Sequence, residues 1–282
     1  MGPDSGLPGR NLVAKLAIIA AMVLALLFVL FPVYWMVITS LKLPREIFRV
    51  PSLWPQVFTG ANYRILIEDK EFLVAIRNSF IVASSVTLIS LVVASLAAYS
   101  MVRFRYRFKG LIGRLILFAY LTPTSLLFIP LSILIARLQL GNTLHGLIFV
   151  YLTFSLPVST WMLQAYFAAV PRELEEQGMI DGLSRLGALF RIVLPLSAPG
   201  LAAVAIFTFT GAWNELLLAL VLITSESRRT APLALNYLIT SDVLPWGPLM
   251  AGAVLSSVPL MILYFVAQRY IVQGITAGSV KG

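Results

Sequence analysis

Charged residues in this chain of 282 are set apart by long uncharged runs. Residues 16–41 carry no charge over 26 positions, 78–102 over 25, 115–136 over 22 and 138–171 over 34. A helix of about 20 apolar residues crosses the hydrocarbon of a bilayer, so each of the first three runs predicts one span. The first is too long for the apolar core of a cleaved signal peptide and is read as a retained helix. The fourth exceeds the need of one helix; Leu140-Gly141-Asn142 near its start reads as a turn, leaving helix over about 143–168. Beyond a polar interruption, the uncharged runs 192–214 and 243–268 complete six, the fifth continuing past Glu215 to about Ile223. The expected fold is all-α: one membrane domain with spans near 14–40, 78–102, 112–136, 143–168, 197–223 and 246–268, with no linker, repeat or low-complexity tract.

The interruption at 171–195, PRELEEQGMIDGLSRLGALFRIVLP, has its own order. Glu173, Glu175 and Glu176 follow Pro171 closely, and Arg185 and Arg191 come later. Proline at a helix start and carboxylates near its positive end predict a short helix. Asp181-Gly182 predicts a turn, because glycine accepts backbone angles that other residues resist. A second short helix is expected from near Ser184, stopping before Pro195. By its charge order alone, such a helical hairpin reads as an amphipathic loop lying on lipid headgroups.

Composition agrees with the spans. The chain is 59% hydrophobic and 12% charged, with a mean hydropathy of +0.91, far more apolar than a soluble domain of this length could bury. The net charge of +9 is scattered between apolar runs, which argues for span-flanking charge and headgroup attraction and against nucleic-acid binding. Residues 103–114, RFRYRFKGLIGR, hold five bases and no acid, which places this loop, the 171–195 loop and both termini on the cytoplasmic side. The loop over 42–77 dilutes six bases with Glu46, Glu68, Asp69 and Glu71, and with Pro44, Pro51 and Pro55 it reads as a folded extracytoplasmic segment.

Catalytic chemistry finds little footing. Cysteine is absent, which removes thiolate metal sites, disulfides and catalytic thiols. There is no HExxH, no GxSxG and no GxxxxGK[ST] phosphate cradle, and the single histidine, His145, beside the Gly141-Asn142 turn, reads as a helix-start residue. No cofactor or metal is expected on this chain. Glu215 is the one acid placed inside a span, about 18 residues or roughly 27 Å from Ser197, hence near the outer interface. Structural tying of the fifth helix and substrate contact are both open for Glu215 and its neighbour Asn214. Prolines at 32, 123, 130, 157 and 259 break helix ladders. Hydroxyls cluster at two of these breaks, as Thr122, Thr124 and Ser125 and as Ser256 and Ser257, where they either line a pathway or bond their own preceding turn.

The spacing of Glu176, Gly182, Ile192 and Leu194-Pro195 resembles the EAA signature (EAA, three residues, G, nine residues, I-x-LP) of binding-protein-dependent ABC importer permeases. The two alanines of that signature are Gln177 and Gly178 here, and a mid-helix glycine costs about 1 kcal/mol relative to alanine. LPLSAPGLAAVAIFTF (194–209), Trp213-Asn214-Glu215, Trp246-Gly247 and the ending QRYIVQGITAGSVKG are similar to the maltose-type permease subunit that lacks a large inserted extracytoplasmic domain. The resemblance covers nearly the whole chain after residue 12. It implies a carbohydrate importer subunit of the type I fold in a prokaryotic inner membrane. The partners implied are a second homologous permease, two cytoplasmic ATPase subunits that bind ATP and Mg, and an extracytoplasmic sugar-binding protein. It assigns ATPase coupling to Glu173, Glu175, Glu176, Gly178, Met179, Asp181, Gly182, Leu183 and Pro195, and ATPase contact to Thr276, Gly278, Lys281 and Gly282 in a tail at 270–282. A glycerol phosphate or polyol permease of the same superfamily, and a secondary carrier with no ATPase, are the rival readings; the second would need intramembrane charges or an inverted repeat.

Overall fold

The computed structural model describes residues 8–49, 52–68, 70–239 and 244–278. All regular structure among them is helical: α1 (Pro8–Ser40), α2 (Pro44–Arg49), α3 (Ala61–Glu68), α4 (Glu71–Arg103), α5 (Lys109–Leu121), α6 (Thr124–Arg137) and α7 (Leu144–Ala169). Then come α8 (Arg172–Ile180), α9 (Arg185–Leu196), α10 (Ala198–Asn214), α11 (Leu217–Leu222), α12 (Ala231–Ile239) and α13 (Trp246–Gly278). Four helices are long and apolar enough to cross a membrane, and the two bent pairs α5–α6 and α9–α10 raise the number to as many as six.

Contacts divide the chain into two units, 1–68 with 241–255 and 69–240 with 256–282. The missing linker predicts a single unit, but a continuous helix joins two units as well as a loop does, and α13 passes from one to the other after Leu255. In the first unit, the apolar side chains of α1 face outward over most of its length, as suits a helix whose solvent is lipid. Its end is fixed by Asn62 on α3, which donates to the Ser40 and Lys42 carbonyls at 2.8 and 2.9 Å. Gly247 lies against that carboxamide so closely that a Cβ would come within 2.3 Å of it.

The second unit is built on α4, α7 and α10. Along α4 the buried positions Ala75, Asn78, Ser79, Val82, Ala83, Val86, Ser90, Ala94, Ser95 and Ala98 recur every three or four residues, and most are small. Small residues let helix backbones approach where lipid supplies no hydrophobic drive, and hydroxyl pairs then bind helix to helix. Ser90 meets Ser155 of α7 at 2.8 Å, and Ser159 meets Thr208 of α10 at 3.2 Å. Two apolar cores result. One gathers Ala98, Leu163, Phe167, Leu189, Val193 and Val204 at the end where α4 and α7 stop; the other gathers Val82, Ile135, Leu147, Leu218 and Leu222 at the opposite end.

The breaks depart from the sequence expectation. The third span, read as continuous over 112–136, bends by 99° at Thr122-Pro123, because Pro123 has no N–H and biases Thr122 to extended backbone (ψ 121°). The fifth, expected through Ile223, stops at Asn214: Glu215 turns extended, and its carboxylate accepts from the Leu218 and Ala219 amides at 2.9 and 3.3 Å, opening a new helix. The short helix expected to end before Pro195 runs through it to Leu196. A π turn over Leu189–Val193 precedes the proline, and with its wider ladder the residue lacking an N–H falls where the pattern changes from π to α. Finally α13 continues to Gly278, through Thr276, where a separate tail was expected from 270. No proline lies beyond Pro259 to end it.

Candidate functional site: a bolted helical hairpin and a cavity

Helices α8 and α9 form the hairpin of the polar interruption. Pro171 leads into α8, with Glu173 and Glu175 in its first turn. Asp181 and Gly182 make the turn, Gly182 in the left-handed region (φ +92°), and Leu183 and Asp181 amides return to the Gly178 and Gln177 carbonyls at 3.0 Å each. Ser184 caps α9 by accepting from the Gly187 amide at 3.1 Å. Gly178 is buried; a Cβ there would meet Ile192 Cδ1 at 2.5 Å and Leu183 Cδ1 at 3.2 Å. The glycine that departs from the EAA pattern is thus the point where α9 packs against α8.

The three glutamates separate by role. Glu175 is 4% exposed and turned into the bundle, where its carboxylate pairs with the Arg103 guanidinium at 2.5 Å and accepts from Tyr99 Oη at 2.8 Å. Arg103 also donates to the Val170 carbonyl at 2.8 Å, Tyr99 to the Arg185 carbonyl at 3.3 Å, and Arg172 back to the Val102 carbonyl at 3.2 Å. The Arg185 guanidinium lies 5.3 Å over the Phe104 ring. The end of α4, the end of α7, α8 and α9 are therefore joined through one buried ion pair with its hydrogen bonds satisfied. Glu173, Glu176, Met179 and Asp181 face outward together with Leu174, Leu186, Phe190 and Ile180, which is 84% exposed; Leu183 is half-buried and Pro195 exposed. The outer surface of the hairpin is apolar with a rim of both charges, Arg172, Arg185 and Arg191 being exposed beside the acids.

Of the residues singled out for a pathway, three converge. Thr122, Thr124 and Glu215 line a cavity of about 280 Å³ between the α5–α6 break, α7 and α10. Tyr151 Oη donates to Glu215 Oε2 at 2.7 Å, so the carboxylate both starts α11 and holds α7. Thr122 Oγ1 bonds its own preceding turn, at the Phe118 carbonyl, 2.8 Å away. Ser125 and Asn214 are exposed outside the cavity, Asn214 donating to the Thr210 carbonyl at 3.0 Å. Ser256 and Ser257 lie on α13 and do not line it; Ser256 Oγ is buried and unpartnered. Of the tail residues, Thr276 and Gly278 end α13, and Lys281 and Gly282 lie outside the described residues.

Sequence reading missed Tyr99 and Arg103, which it counted as part of a span and a flanking charge. Their signal is local: they are one turn apart at the end of a span, as a pair reaching the same partner must be. It also missed Tyr151, Ser155 and Thr208, cavity residues whose convergence depends on how three helices pack.

Residues 88–277 match the family described as "Binding-protein-dependent transport system inner membrane component". The chain is 38% identical over 279 residues to the sulfoquinovosyl glycerol transport system permease protein SmoH of Agrobacterium fabrum, covering 99% of this chain and 95% of that one. It is 37% identical over 277 residues to the trehalose/maltose transport system permease protein MalG of Thermococcus litoralis, covering 97% and 99%. Among solved structures it resembles a chain of a bacterial ABC transporter that imports the acidic polysaccharide alginate, with a TM-score of 0.79 at 20% identity over 95% of this chain and 99% of that one. With the family matched over most of the chain and the fold matched from end to end, this multi-pass membrane protein belongs to the inner membrane components of binding-protein-dependent transport systems.

Proposed function

We propose that the chain is one of two homologous permeases that together form the pathway of an ATP-driven importer for a di- or oligosaccharide. Relatives at 36–38% identity carry names that specify sulfoquinovosyl glycerol, trehalose and maltose, and diacetylchitobiose. A more distant neighbour was solved with an alginate pentasaccharide-bound periplasmic protein. The sugar arrives on an extracytoplasmic binding protein. The permease itself catalyses no reaction and binds no nucleotide or metal; ATP and Mg belong to two cytoplasmic ATPase subunits. The N and C termini and the α8–α9 hairpin lie on the cytoplasmic side, and Thr276, Gly278, Lys281 and Gly282 meet the ATPase near its nucleotide.

The single observation that carries this reading is the hairpin. Its outward side is apolar with exposed acids and arginines at the rim, as a docking surface requires, and its inward side is fixed to α4 and α7 by Glu175 and Arg103. A load applied to Ile180 or Met179 is passed to two core helices instead of being lost in a loop. Movement of the ATPase subunits then turns those helices, and the cavity opens alternately to the two sides, provided the sugar binds the two states unequally.

The test is uptake of labelled maltose, trehalose and diacetylchitobiose by proteoliposomes that hold the chain, its partner permease and ATPase subunits. Uptake of at least one sugar should require both ATP and the binding protein, whereas uptake that needs neither would overturn the proposal. Deletion of 276–282 should leave ATP hydrolysis running and lower sugar uptake at least tenfold.

A further inference from the structure

A second cavity, about 710 Å³ and more open, lies at the hairpin end of α7, bordered by Arg103, Gln164, Ala168, Arg172 and Trp161. It and the 280 Å³ cavity draw on the same face of α7. Tyr151, Ser155 and Val158 line the first cavity; Trp161, Ala165 and Ala168 line the second. These positions follow one another at intervals of three and four residues, which on a helix makes one continuous stripe. One ring from each lining meets the other. Tyr120, in the wall of the first, stacks on Trp161, in the wall of the second, with centroids 6.3 Å apart and planes 14° from parallel.

We infer that this stripe of α7 is the surface along which sugar passes through the chain, and that Tyr120 and Trp161 form an aromatic rung on which a sugar ring rests between the two cavities. The inference rests on the sugar-import reading and adds residues that contact the cargo. Both rings are large and exposed, and Trp161 is 55% accessible. An exposed tryptophan on a membrane helix also suits lipid. Against lipid stands the company it keeps on this stripe: the Gln164 carboxamide and the Ser155 hydroxyl. Polar and ionisable groups at membrane depth face a bundle interior or a wet cavity.

The chemistry selects a sugar. A pyranose presents apolar C–H faces and a rim of hydroxyls. Flat rings satisfy the faces, and Ser155, Thr208 and the Glu215–Tyr151 pair offer acceptors and donors to the rim. Cavity volumes of about 280 and 710 Å³ bracket the lower part of the small-molecule range of roughly 300–1,000 Å³, which suits one to a few rings on either side of the rung. Tyr120 also lies two residues before the Thr122-Pro123 break.

Because the chain has no native cysteine, label recovered on this subunit reports the introduced cysteine alone. In the reconstituted complex, cysteines placed singly at Ser155, Gln164 and Ala168 should react with a charged, water-soluble thiol reagent, and those at the buried Leu163 and Phe167 should not. Saturating maltose or trehalose, whichever the complex transports, should slow labelling at least threefold. Trp161→Ala should lower uptake at least tenfold, Trp161→Phe should restore most of it, and binding-protein-stimulated ATP hydrolysis should persist in both. Uptake by Trp161→Ala at the unaltered rate, or stripe cysteines that react only with lipid-soluble reagents, would overturn the rung while leaving ATP- and binding-protein-dependent import intact. Uptake independent of both would instead remove the reading on which the rung rests.

Discussion

Single residues decide whether the hairpin is a lever or a tether. Glu175 and Arg103 are both nearly fully buried, and removing one partner of a buried ion pair leaves the other charged and unpaired, at a cost of about 3–5 kcal/mol. Glu175→Ala and Arg103→Ala should each lower the melting temperature of the solubilised complex, and the double substitution should cost clearly less than the two together, since it strands no charge. Equal and additive losses would show that the pair is not coupled. Gly182 asks a different question. A side chain at φ +92° costs roughly 1–2 kcal/mol, too little to unfold the protein and enough to shift the turn. Gly182→Leu should therefore keep assembly and thermal stability within a few degrees while cutting the uptake obtained per ATP hydrolysed, a ratio read directly in proteoliposomes.

At the level of elements, α8 and α9 are set by what lies between them. Gly178 admits the Ile192 side chain, and a Cβ there meets its terminal carbon at 2.5 Å, a contact that a turn of the isoleucine can relieve. Gly178→Ala is expected to be tolerated, because helix propensity gained offsets the repacking, whereas Gly178→Leu should force the helices apart and abolish ATPase association in a pull-down. The contrast between sequence and structure is sharpest here. Proline-led acids, the Asp181-Gly182 turn and the serine cap are local signals, and the hairpin follows from them. That Glu175 faces inward while Glu173 and Glu176 face out is not local. It depends on Arg103, 72 residues away in sequence. The same distinction explains the spans. Uncharged runs locate apolar helices, but hydropathy does not register backbone direction, so the 99° bend at Pro123 and the fresh start of helix after Glu215 were invisible to it. Proline marked the first break; the second needed a glutamate read as a cap instead of as a charge.

Over the whole molecule, one end of the α4–α7–α10 core carries the α8–α9 hairpin and the other carries Glu215 and the Asn142 turn, whose amide and carboxamide hold the Leu222–Ser225 backbone. The two ends share the same three helices, so a rotation imposed at one end has a continuous route to the cavity between them. On the function proposed above, proteins on the cytoplasmic side drive this chain through its hairpin. The most direct test is to label a single cysteine at position 180, the most exposed apolar residue of the hairpin, with a membrane-impermeant maleimide. No reaction is expected in intact cells, rapid reaction in inverted vesicles stripped of the ATPase subunits, and strong protection when those subunits are added back. Labelling of Ile180→Cys from outside intact cells, or full reactivity with the ATPase subunits bound, would contradict that reading.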